Sequence, residues 1–177
     1  AGADIDAVNK EGSTALMTAA RQGNREITKL LIEAGADINA VDKEGTTPLM
    51  HAVEQGNKKV AELLIEAGAE IDAGDETGTT ALMRSAILGH PEIAEMLVEK
   101  GADVNILDEE EINALTYAVI KGSPATAEVL MKKGAKNNPV DGYGEMALFY
   151  AETKEDSEMV ELLKEAGVRN YEIVANS

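Results

Sequence analysis

Hydrophobic and polar positions in this chain sort into short bursts at helical spacing. Leu49, Ala52 and Val53 fall on one side of a helix at i, i+3 and i+4, whereas His51, Glu54 and Gln55 fall on the other. Thr47 suits the N-cap, Pro48 the first helical position, where its missing N–H costs nothing, and Gly56 ends the helix about two turns on. A second helix follows. Val60, Leu63 and Leu64 form its apolar stripe, Lys58, Lys59, Glu62 and Glu66 its wet side, and Gly68 its left-handed stop. Ala69 to Thr77 then reads as a turn crossing to the next such pair. Neither helix is long enough to stand alone, so each pair must bury its stripe against neighbours.

The same burst recurs at a fixed step. Gly2, Gly35, Gly68, Gly101, Gly134 and Gly167 stand 33 residues apart. A second glycine column runs Gly12, Gly45, Gly78 and Gly144, broken at Glu111. A third runs Gly23, Gly56, Gly89 and Gly122, broken at Glu155. This period, the two short helices per unit and the Thr47-Pro48-Leu49 opening resemble the ankyrin repeat over nearly the whole chain. The resemblance implies an all-α fold, an ankyrin-repeat solenoid of paired antiparallel short helices with hairpin-like turns in a curved right-handed stack. Residues 1–177 then form one domain: 1–8 as the end of a truncated upstream unit, repeats over 9–40, 41–73, 74–106, 107–139 and 140–167, and a tail over 168–177. Helices that should precede residue 8 are missing from this sequence. The chain is therefore expected to be a piece of a longer product, or else to expose an apolar flank on its first unit. Glu152, Thr153, Glu155 and Lys164 make the last unit polar, as a C-terminal cap should be. The family's motif is matched only partly, because its histidine slot holds Met17, Met50, Met83, Thr116 and Phe149. Apolar packing is expected there in place of the family's loop ties.

Comparing the units with one another sorts the columns. Leu16, Leu49, Leu82, Leu115 and Leu148 hold one chemistry and are framework, as are Leu31, Leu64, Leu97, Leu130 and Leu163. The outward columns of the first helices change freely: Thr18, His51, Arg84, Tyr117 and Tyr150, then Arg21, Glu54, Ile87, Ile120 and Thr153, then Gln22, Gln55, Leu88, Lys121 and Lys154. By the resemblance these columns and the turn tips line a concave face where proteins bind. Any single variable residue, taken alone, is expected to be merely unconstrained. Arg84, Ile87, Leu88, Tyr117, Ile120, Tyr143 and Tyr150 are the candidate contacts of the C-terminal half, where all the aromatics lie. Tyrosine brings large area, little rotamer entropy and a polar tip, so Tyr117 and Tyr150 suit either contact or packing. Glu109, Glu110 and Glu111 complete the set as an acidic tip after Asp108. There Glu111 replaces a column glycine, so either it accepts a strained positive φ or the turn takes another shape, and the second is expected.

Composition narrows the chemistry. The net charge is −17, which repels phosphate backbones and anionic lipid, so neither nucleic acid nor membrane is expected as a partner. The expected partner is a protein with a basic surface. Cysteine is absent, which removes disulfides, thiolate catalysis and cysteine-ligated zinc while leaving the compartment open, with the cytoplasm favoured. His51 and His90 lack the i, i+4 spacing of a zinc pair, and Ser13, Ser85, Ser123 and Ser157 lack a nucleophile setting. Phosphate-binding glycine loops and a calcium loop are likewise missing. No enzyme, cofactor or metal site is expected. The function read from the chain is a protein-binding module with an acidic face, monomeric or associating end to end through its first unit. The alternative is a structural or regulatory segment that packs on a neighbouring domain of its own polypeptide.

Overall fold

A computed structural model describes residues 4–135, 148 and 151–165. Its helices come in pairs: α1 (Ala15–Arg21) with α2 (Arg25–Glu33), α3 (Pro48–Glu54) with α4 (Lys58–Glu66), α5 (Ala81–Leu88) with α6 (Pro91–Glu99), and α7 (Ala114–Lys121) with α8 (Pro124–Lys132). A further helix, α9, spans Ser157–Glu165. The first helices stack α1 on α3 on α5 on α7, and the second helices form a parallel layer α2, α4, α6, α8 and α9. This is the expected all-α solenoid.

Local chemistry starts each first helix. Thr47 Oγ1 accepts from the Met50 N–H at 3.2 Å, while the Met50 thioether accepts from the Thr47 N–H at 3.5 Å. Thr14 with Met17 and Thr80 with Met83 repeat the pattern. A capping box ordinarily uses Glu or Gln in the returning role. Here the fully buried methionines of the substituted slot supply it, so they both pack and bond. The fourth unit differs, with Asn113 Oδ1 accepting from both the N–H and the hydroxyl of Thr116.

The core lies between the two helix layers. Leu16, Leu49, Leu82, Leu115 and Leu148 are at most 2% exposed, and Leu64, Leu97, Leu130 and Leu163 are fully buried. Each such side chain contributes about 1.5–3 kcal/mol by leaving water. Leu31 departs from its column by being only half-buried. In α2, Ile27 is 45% and Leu30 63% exposed, whereas among their equivalents Val60, Ile93 and Met96 are at most 3% exposed and Leu63 and Val129 are half-buried.

The turns are tied along the array by backbone. Lys43 donates its N–H to the Glu11 carbonyl at 3.2 Å, Glu76 to Glu44 at 3.2 Å and Glu109 to Thr77 at 2.9 Å. Glycine at position 45 is required twice over: its φ is +75°, and an added Cβ would stand 2.8 Å from the backbone nitrogen of Glu76. Glu111 occupies the equivalent position with φ 60°, so the fourth turn keeps the glycine conformation. The expectation of a different turn shape is thereby corrected. Glu109 still bonds to Thr77 and Glu111 N–H still bonds to the Asp108 carbonyl at 3.0 Å, which holds the turn in place. That conformation costs a non-glycine residue about 1 kcal/mol or somewhat more.

Candidate partner-binding face

The first helices and the turn tips together form one face. Behind its surface runs a latch that recurs in three units. In the second unit Asp42 Oδ1 accepts the N–H groups of Glu44 (3.1 Å) and Thr46 (2.9 Å), and Asp42 Oδ2 pairs with His51 Nε2 at 2.9 Å. Asp75 uses one oxygen for the N–H groups of Thr77 (2.8 Å) and Thr79 (3.0 Å) and the other for Arg84 at 2.6 Å. Asp108 divides its oxygens in the same way between Glu110 and Ile112 N–H groups and the Tyr117 hydroxyl, the last at 2.6 Å. One oxygen folds the turn; the other fastens it to the helix nine residues on.

The latch places several of the expected contacts. Arg84 is half-buried and bonds Asp75, the Thr46 hydroxyl (3.3 Å) and, across the unit boundary, Glu54 Oε1. Tyr117 is half-buried and held by Asp108, and burial, followed by that hydrogen bond and the carboxylates of Asp108, Glu110 and Asp75, raises its hydroxyl above the ordinary tyrosine value. Ile87 and Ile120 are half-buried, and Leu88 is 46% exposed at the end of α5. Lys154 Nζ donates to the Ile120 carbonyl. Glu109, Glu110 and Glu111 are exposed together at one turn tip. Tyr143 and Tyr150 lie outside the described residues.

His51 departs most from its sequence reading. Expected to look outward with Glu54 and Gln55, it is only 4% exposed. Burial is the largest influence on its ring and, with the cations Arg21 and Arg84, outweighs the raising effect of Asp42, so His51 sits below its ordinary value. For Asp42 burial acts upward, but the Thr46 N–H, His51 and the Glu44 N–H prevail and hold the carboxyl below its ordinary value. The latch acids had a signal in the sequence, since Asn9, Asp42, Asp75, Asp108 and Asp141 recur every 33 residues.

Away from this face the surface offers grooves between second helices. One of them, about 550 Å³ and open, is lined by Arg25, Glu26, Lys59, Glu62, Leu63 and Glu66. Among the described residues no three or more His, Asp or Glu side chains gather where they could hold a metal ion. Nor is any described helix long and apolar enough to cross a membrane.

Comparison with known proteins agrees with the architecture. A family model for ankyrin repeats (3 copies) matches residues 1–75 and 103–174, and a model for the single ankyrin repeat matches residues 77–109. Among curated proteins none matches the chain. Ankyrin repeats are in general protein–protein interaction modules and a non-enzymatic fold. With both family models laid along its 33-residue units and the stacked helix pairs they describe, the chain belongs to the ankyrin-repeat family.

Proposed function

We propose that the face of first helices and turn tips is the concave face of the array, and that it binds a protein presenting a basic surface. The observation carrying this reading is a division among the carboxylates. Asp42, Glu54, Asp75 and Asp108 are spent on internal bonds. Glu44, Glu76, Glu109 and Glu110 at the turn tips are exposed and enter no ion pair among the described residues. Such charges steer a cationic partner and set its register. The backbone ties between turns hold the tips before binding, so little ordering entropy is lost at association. Ile87, Leu88, Ile120, Tyr117, Tyr143 and Tyr150 supply the apolar and aromatic part of the same contact, with Arg84 and Glu111 at its edges. The module acts without catalysis, metal or cofactor.

The test is capture from cell extract on the immobilised chain, comparing wild type with a Glu109→Lys, Glu110→Lys variant and with Leu88→Ala. A protein retained by wild type, released by added salt and lost from the charge-reversed variant is the expected result. Equal retention by all three chains rejects this face. A second reading, a structural segment packing on a neighbouring domain, is favoured by the exposed Ile27 and Leu30 of α2, a surface that another helix pair would cover.

A further inference from the structure

His51 is a buried titratable group surrounded by charges from several elements at once. Arg21 reaches it from α1, Asp42 from the turn before α3, Glu54 from its own helix and Arg84 from α5, with Asp75 beyond Arg84. Donor and acceptor inventories assign the ring's neutral form. Asp42 Oδ2 accepts and cannot donate, so Nε2 carries the hydrogen in the 2.9 Å contact. Nδ1 is then bare, and it lies 3.5 Å from Glu54 Oε2, one acceptor facing another. Arg21 Nη2 is 3.3 Å from both ring nitrogens, so it sits over the imidazole rather than along one lone pair. An exposed cation thus covers a buried neutral ring.

We propose that His51 is a proton-operated switch between the first and second units, in which protonation exchanges the cover of Arg21 for an ion pair with Glu54. A proton on Nδ1 turns this 3.5 Å approach of two acceptors into an ion pair between His51 and Glu54. The same proton places a positive charge beneath Arg21, turning an attraction into a repulsion. Glu54 can take both cations, because its Oε1 serves Arg84 while Oε2 faces His51. Asp42 keeps Nε2 in either state. The exchange therefore replaces a contact between α1 and α3 with one inside α3, and frees a guanidinium onto the face. A consequence for binding, which rests on the reading that this face takes a basic partner, is weaker association in acid.

The test follows nitrogen resonances of the intact chain from pH 8 to 5, with His51→Gln identifying the His51 signals against those of His90. The expected spectrum has hydrogen on Nε2 at pH 8, and Arg21 side-chain signals that move with the His51 midpoint. Arg21→Gln should raise that midpoint by removing a like charge, and Glu54→Gln should lower it by removing the negative charge that rewards protonation. Circular dichroism checks that each variant is folded. Hydrogen on Nδ1 at pH 8, Arg21 signals that ignore the titration, or both variants shifting the midpoint in one direction would each overturn the switch. A decalysine peptide serves as the binding probe: its affinity should fall through the His51 midpoint. Failure of decalysine to bind at any pH counts against the basic-partner reading and leaves the nitrogen spectra to decide the switch.

Discussion

The latches of the second and third units differ from that of the fourth. At Asp42 and Asp75 the fastening side chains, His51 and Arg84, join a chain of contacts that crosses unit boundaries through Arg21 and Glu54. At Asp108 the Tyr117 hydroxyl closes the turn by itself. The position and the nine-residue reach are the same in all three. Three chemistries can therefore satisfy one carboxylate oxygen, and a column that varies between units is not on that account free for recognition. What separates the regions is how much else is lost when the latch is broken.

The largest effect should come from removing the shared acid. Asp75→Ala removes one of the two carboxylates that pair with the half-buried Arg84 and unties the Thr77 and Thr79 N–H groups, at a cost of about 3 kcal/mol. Tyr117→Phe deletes only one hydrogen bond to a carboxylate and should cost about 1.5 kcal/mol. In a chain of this length each kcal/mol lowers Tm by roughly 2–4 °C. Equal losses in the two melts would erase the distinction between a networked and a solitary latch.

A smaller change of opposite sign sharpens it from the other side. Glu111→Gly relieves the positive φ of the fourth turn and should stabilise by about 1 kcal/mol. Melting of the variant at or below the wild-type temperature would mean that the turn carries no such strain.

The smallest effect is pH-dependent and centres on His51 of the second unit. Because folding lowers the His51 pKa, the stability tied to its neutral ring is complete above the unfolded value near 6.5 and is lost as pH falls through the folded value. Asp42, also lowered, responds only further into acid, below the ordinary carboxylate value. Between pH 7 and 5 the wild-type Tm should decline more than that of His51→Leu. Parallel declines would show that His51 does not gate this window.

The outward columns of the first helices and the acids of the turn tips were expected to line one face, and of these Leu88 and Glu109 to Glu111 are exposed. Arg84 and Tyr117 were expected as contacts, and the structure spends their polar ends on Asp75 and Asp108. Glu111 was legible as an anomaly, but the shape of its turn was not. The tie of Glu109 to Thr77 that helps hold that turn comes from a different unit.

The 33-residue period, the caps, the stripes and the glycine columns were determined by the sequence alone. Each of these is a local matter of φ, hydrogen-bond closure or side-chain spacing within one unit, repeated until it cannot be mistaken. Only the tertiary structure decided that His51 turns inward, that Arg84 bridges Glu54 and Asp75, and that methionine thioethers close the capping boxes. Burial and donor–acceptor distance depend on how closely neighbouring units stack and on the rotamers that stacking allows. Neither is encoded in the spacing along the chain.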